Sequence, residues 1–186
     1  CHTLGRYDEM LDTTRKAIGL DKSNAISYYL QAMAHHATGN MIATIAALTQ
    51  AVSRKEDFAE AYLIRGKVLL EMQQTGEAQA DVQTLLELAP DNEEALLLAG
   101  AISEAQNNRD EAIARYREAV KVNPFNENAY LQTARLLAQS EQWEEAIRTL
   151  DEAIDINAGP ALYQLRGKLK LEQGDKEGSI EDMKKA

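Results

Sequence analysis

A period of 34 residues governs this chain. Shifted by that interval, residues 25–58, 59–92 and 93–126 superimpose, and a slightly shorter unit, 127–159, continues the series. Incomplete copies flank them, at 1–24, mainly a second helix, and at 160–186. Self-similarity at this spacing marks a stacked array, because a unit so short cannot bury its own apolar face and must share a core with its neighbours. With each unit numbered from its first residue, position 4 is Tyr28, Tyr62, Leu96, Tyr130 and Tyr163. Position 8 is always small: Ala32, Gly66, Gly100, Ala134 and Gly167. Position 20 is Thr44, Ala78, Ala112, Ala146 and Ser179, and position 27 is Ala51, Leu85, Ala119, Ala153 and Ala186.

Positions 4, 8 and 11 follow the i, i+4, i+7 spacing of one helix face, and positions 20, 24 and 27 repeat it on a second helix. Short polar turns separate the two, as at Thr38-Gly39-Asn40, Gln106-Asn107-Asn108 and Gln173-Gly174-Asp175, where Gly and Asn tolerate the left-handed conformation that ends a helix. Asn24, Asn92 and Asn126 close units and are suited to cap the helix that follows. Only 5% aromatic residues and three prolines in a chain that is 45% hydrophobic favour helix throughout. The expected class is all-α.

This pattern resembles the tetratricopeptide repeat, or TPR. In that family a large residue at position 4, small ones at 8, 20 and 27, and proline at 32 define two antiparallel helices; Pro90 and Pro124 stand at position 32. The resemblance covers essentially the whole chain. It implies one continuous α-solenoid of antiparallel helix pairs, forming a right-handed superhelix with a concave groove lined by first helices. One departure is position 7, often aliphatic in the family, which is Gln31, Arg65, Ala99, Thr133 and Arg166 here. Continued backward, the register places Gly5 at the turn position 15 and Cys1 at position 11, inside a first helix, while Ala186 stops inside a second helix. The chain thus reads as a fragment of a longer array.

Thirty acidic against twenty basic residues give a formal charge of −10, which opposes a nucleic-acid partner, since phosphate binding needs a basic face. The longest apolar stretch, Ala95 to Ile102, falls far short of a hydrocarbon core, so no direct membrane insertion is expected. Cys1 is the only cysteine, so no intramolecular disulfide can form. That fits a reducing cytoplasm slightly better than a bacterial periplasm. A lipid-carrying Cys1 would need a flexible tether after it, where the register expects helix.

No cofactor, metal or catalytic residue is expected. Gly66, Gly100 and Gly167 sit mid-helix, so they form no phosphate loop. Asp8-Glu9, Asp110-Glu111 and Glu144-Glu145 have the composition of acid–base couples, but the register starts a second helix at each, where negative charge offsets the helix dipole. His35 and His36 point about 100° apart on a helix, and His2 lies a hairpin away, so the three do not share a metal. Trp143 and Tyr7, both at position 17, read as packing around the turn.

Positions 5, 9 and 12 form a second i, i+4, i+7 stripe on each first helix. It reads Tyr29, Met33, His36; Leu63, Lys67, Leu70; Leu97, Ala101, Glu104; Leu131, Arg135, Ala138; and Gln164, Lys168, Leu171. The TPR resemblance implies that this stripe faces the groove. A ladder of apolar side chains at position 5, with Lys67, Arg135 and Lys168 beside it, would grip a protein or peptide whose acidic groups meet the basic ones. The carboxylate clamp by which some members hold acidic chaperone tails is missing, since Tyr29 and Met33, then Leu63 and Ile64, stand where Lys, Asn and Arg would be needed. The expected function is a non-catalytic protein-binding scaffold. The alternatives are a self-assembling structural protein and the substrate-selecting region of a larger enzyme.

If positions 4 and 5 belong to different surfaces, Tyr62→Ala should lose about 3 kcal/mol in chemical denaturation. Leu63→Ala, one residue on, should lose under about 1 kcal/mol; equal, large losses would place both in one core.

Overall fold

The computed structural model describes residues 2–186, with side chains from Arg6 onward. The readings made for Cys1, and for the His2 side chain, lie outside the described residues. Eleven helices and no strand occur among the described residues. They are α1 (His2–Leu20), α2 (Ala25–Ala37), α3 (Met41–Val52), α4 (Ala59–Glu71), α5 (Thr75–Leu88), α6 (Glu93–Ala105), α7 (Arg109–Val122), α8 (Glu127–Gln139), α9 (Trp143–Ile156), α10 (Pro160–Glu172) and α11 (Lys176–Lys185). Their contacts gather into two units, Cys1–Pro90 and Asp91–Ala186.

In the first unit α2 pairs with α3 and α4 with α5, while α1 packs on α2 and α3 on α4. In the second, α6 pairs with α7, α8 with α9 and α10 with α11, and the pairs join through α7 on α8 and α9 on α10. Each hairpin is therefore one repeat unit, and each unit's core is a row of inter-hairpin layers. Ala32, Ala47, Leu48, Ala51 and Ala61 form the first core, with Tyr28 and Tyr62 half-buried against it. Ala112, Tyr116, Tyr130, Ala134, Leu137, Ala146, Leu150 and Leu162 belong to the second, with Trp143 packed against it. Leu63 is half-buried too, but it is absent from the cluster that Tyr62 packs on.

Small residues set the helix spacing. Ala32, Ala134, Thr44, Ala78, Ala112, Ala146, Ala51 and Ala119 are all fully sealed. Gly100 shows what the spacing demands: a β-carbon there would lie 2.6 Å from the Tyr116 ring. The large residue at position 24 fills the space that the small one at position 8 vacates.

Helix starts follow the expected chemistry. The Asn24, Asn92 and Asn126 side chains accept from the backbone N–H groups of Ser27, Ala95 and Ala129. Asn40 and Asp175 do the same for α3 and α11. At Gly159 no side chain caps α10, whose first residue, Pro160, has no N–H to satisfy. The links between hairpins are tied as well: the Glu93 carboxylate accepts from Asn123 Nδ2 at 2.9 Å, and also from Asn126.

Position 15 turns left-handed in every hairpin. Gly39 and Gly174 adopt φ of 75° and 85°, and Asn107 adopts 62°. Gln73 and Glu141 take the same conformation, at 61° and 60°, where their sequence carries no signal for it. The hairpin closure holds these two residues against a local cost.

One expectation fails. The register put a turn at Gly5 and started a helix near Asp8 and Glu9, yet α1 runs unbroken from His2 to Leu20 with no acid in its first turn. A single interior glycine costs a helix only about 1 kcal/mol, which is too little to break a ladder that propagates through five turns. Asp110-Glu111 and Glu144-Glu145 do stand in first turns, of α7 and α9.

Two glycine substitutions separate the two constraints. Gly39→Ala puts a β-carbon in open space, so its expected loss of about 1 kcal/mol is purely conformational. Gly100→Ala should cost about 2 kcal/mol in urea unfolding despite alanine's better helix propensity, because the Tyr116 ring must move.

Candidate functional site

The position 5, 9 and 12 stripe is neither sealed nor fully open. In the first unit Tyr29, Met33, Leu63, Lys67 and Leu70 are half-buried and His36 is exposed. Tyr29 and Met33 pack against the core from one side. The Tyr29 ring sits 5.0 Å from that of Phe58, tilted 38°, and the Lys55 ammonium lies 4.8 Å from the Phe58 centroid. Burial, reinforced by the Glu60 charge, raises the Tyr29 phenol above its ordinary range, so it stays a neutral donor.

In the second unit Leu97 and Leu131 rest partly on the core while keeping part of their surface open. Ala101 and Glu104 are half-buried, Ala138 is buried, and Gln164, Lys168 and Leu171 are exposed. Arg135 is committed: its Nη2 donates to Glu104 at 2.5 Å, and its Nε donates to the Gln132 side chain at 3.0 Å. Burial pushes the nearby Tyr116 phenol up to about 12, with Glu104 adding to the shift and Arg135 opposing it. An acidic ligand group reaching Arg135 must therefore compete with Glu104, in a pair whose side chains are 37% and 34% exposed and so weakly held.

His35 is half-buried, and burial, helped by the Arg15 charge, lowers its pKa so that the imidazole is neutral. Among the described residues no group of three or more His, Cys, Asp or Glu could hold a metal ion. None of the described helices is long and apolar enough to cross a membrane.

A second polar feature went unread in the sequence. Position 7 departs from aliphatic character because arginine there forms a clasp. Arg65 on α4 donates Nε and Nη2 to the two Asp81 oxygens of α5 at 2.7 and 2.5 Å, and Nη1 to Thr49 of the preceding hairpin at 3.0 Å. Its guanidinium lies 5.6 Å from the Tyr62 ring centroid. Arg166 repeats the arrangement, with Asp182 at 2.9 and 2.6 Å, Asp151 of the preceding hairpin at 2.5 Å, and the Tyr163 ring at 5.5 Å. Lys170 adds a contact to Asp182 at 2.9 Å. The signal was available: aspartate occupies position 23 only in the two units with arginine at 7, whereas Ala47, Arg115 and Thr149 stand there in the others.

The clasp welds the two helices of a hairpin and reaches back to the one before. A bidentate arginine–carboxylate pair satisfies a buried carboxylate that would otherwise be costly. Its hydrogen bond to Asp81 is the main force raising the Arg65 pKa, against desolvation. At Asp182 burial alone would raise the carboxyl, but hydrogen bonds from Arg166 and Lys170 together outweigh it and hold the group below its ordinary range.

Similarity to known proteins points one way. A tetratricopeptide repeat profile matches residues 25–58 and 59–92, and a second tetratricopeptide repeat profile matches 103–169. DnaJ homolog subfamily C member 3 from Mus musculus is 32% identical over 89 residues, 48% of this chain, and its Rattus norvegicus counterpart is 33% identical over 86 residues, 46% of this chain. The chain spans 18% and 17% of the length of those relatives. Among solved structures, MamA shares the fold with a TM-score of 0.78 at 18% identity, over 87% of this chain and 88% of that one. YrrB, described as a TPR protein with an unusual peptide-binding site, gives 0.74 at 20% identity over 92% and 89%. Pseudomonas aeruginosa pilF gives 0.78 at 17% identity over 96% and 82%.

Because Asp182 is held below the ordinary 3.8, its share of stability is complete above that pH and is lost as pH falls through the lowered value. Asp182→Asn should therefore flatten the acid limb of the stability–pH curve. Arg166→Ala, which leaves the buried Asp182 carboxylate with Lys170 as its one cationic partner, should cost about 3 kcal/mol at pH 7 by denaturant titration.

Proposed function

The chain belongs to the tetratricopeptide repeat family, whose members are protein-interaction scaffolds, and from that premise we propose that its position 5, 9 and 12 stripe is the surface that takes a polypeptide. The observation that carries the reading is the half-burial of position 5. Tyr29 in the first unit, and Leu97 and Leu131 in the second, rest on the core yet keep apolar surface open, and Leu63 is half-buried. Side chains already ordered by packing lose little entropy when a ligand covers them, so they suit anchoring contacts.

The ligand this surface favours is a short segment with apolar side chains spaced to meet successive helices. Lys67, one helical turn after Leu63, and Lys168, one turn after Gln164, add basic groups to the stripe for an acidic group on the ligand. Glu104 and Arg135 pair with each other, so on α6 and α8 the stripe selects more by shape and apolarity than by charge. The peptide-binding site named for YrrB supports this reading by likeness of fold. None of these positions calls for chemistry: the surface offers anchors and paired charges, and its action is binding without catalysis.

Selection from a displayed library of random twelve-residue peptides tests the surface. Recovered peptides should carry two or more apolar anchors. Leu97→Glu with Leu131→Glu should weaken their binding at least tenfold while circular dichroism stays unchanged. Undiminished affinity in that variant would move the site elsewhere.

A further inference from the structure

The repeats serve as internal comparisons for one another: three of the five hairpins lack the arginine–aspartate clasp, and α8/α9 is one of them. In α4/α5 and α10/α11 the space bounded by positions 4, 7 and 23, and by position 25 of the preceding hairpin, is filled by Arg65 or Arg166. In α8/α9, position 7 is Thr133 and position 23 is Thr149. A cavity of about 260 Å³ remains there, within the second unit, bordered by both threonines, by Tyr130 at position 4 and by Arg117 at position 25 of the preceding hairpin. It lies off the groove stripe, none of whose side chains borders it.

The chemistry of the walls selects a guest. Tyr130 keeps the position whose equivalents, Tyr62 and Tyr163, lie 5.6 and 5.5 Å from a guanidinium. Thr133 and Thr149 donate their hydroxyl protons to the carbonyls of Ala129 and Glu145 at 2.8 and 2.9 Å, which leaves oxygen lone pairs to accept. Two carboxylates border the space, Glu145 and Glu152. Glu145 is neutralised by Arg117 at 2.5 Å. Glu152 makes no ion pair among the described residues, and after burial its charge is the second cause that raises the Tyr130 phenol. Arg148 also borders the space, exposed as Glu152 is and one helical turn before it. Arg117 is already paired with Glu145 and the hydroxyl protons are already used, so an anion finds no donor beyond Arg148 at the rim. A planar cation finds the small accessible part of Tyr130, hydroxyl acceptors and the Glu152 carboxylate.

We propose that this cavity receives an arginine side chain of a partner polypeptide, which takes in trans the place that Arg65 and Arg166 take in their own hairpins. The guanidinium enters beside Tyr130, which is 5% exposed, and its fork of donors meets Glu152 and the threonine oxygens. Lysine fits less well, because a point ammonium neither stacks nor bonds in a fork. The site is separate from the apolar stripe, so one polypeptide could hold both or two could bind at once.

The probe is N-acetyl-arginine amide, titrated while backbone amide shifts around Tyr130, Thr133 and Thr149 are followed by NMR, with the lysine and citrulline amides as controls. The arginine compound should give saturable shifts, the lysine compound at least fivefold weaker binding, and the neutral citrulline compound none. Glu152→Ala, an exposed change, should weaken arginine binding at least fivefold. Thr133→Arg with Thr149→Asp, which rebuilds the internal clasp, should abolish it and raise Tm. Leu97→Glu with Leu131→Glu should leave it intact, so failure of the groove reading would not disturb this one. Absence of saturable shifts, equal shifts from all three amides, or unchanged binding by Glu152→Ala would overturn the assignment; the last of these decides the matter even if the rebuilt clasp does not fold.

Discussion

Close approach of helices is the condition on which the rest of this structure depends. Two helices per repeat can share a core only if their axes come near enough for a side chain from one to fill a gap on the other. The small residues at positions 8, 20 and 27 create that gap and the large ones at 4 and 24 fill it. Gly100 against Tyr116 shows it, with room for a ring and for no added carbon. Because the interior is packed as densely as a crystal, such complementarity fixes the hairpin geometry, and with it the direction in which every other side chain points.

Close approach also explains why one face of a first helix can be stable and available at once. Position 4 turns toward the next helix and position 5 turns about 100° away, so a residue such as Leu131 leans on the core with one side only. The surface proposed to bind a polypeptide is thus a by-product of packing. Its residues are ordered by the fold before any ligand arrives, which lowers the entropy cost of binding.

Polar substitutions in the shared layers follow a rule of their own. Where arginine replaces an aliphatic residue at position 7, aspartate at 23 and an acceptor at 25 of the preceding hairpin come with it, and the guanidinium is satisfied on every side. Where position 7 is threonine, that partnership is absent and a cavity lies in its place. One repeat's completed clasp and another's empty one express the same geometry with different residues.

Sequence alone determined the helical class and the pairing of helices within each repeat, because the period is written in side-chain volume, and volume acts locally. It misplaced a turn at Gly5, since one glycine cannot outweigh five turns of hydrogen bonds. Asparagine caps, glycine turns and the small-residue crossings were legible for the same reason: each is a short-range demand on one residue. Two features were decided only by tertiary structure. Gln73 and Glu141 are left-handed because the hairpin closes around them, against their own preference. Arg135 faces Glu104, and the space beside Tyr130 stands open, because both depend on residues about thirty positions apart meeting across a helix boundary, a distance over which no local pattern carries information.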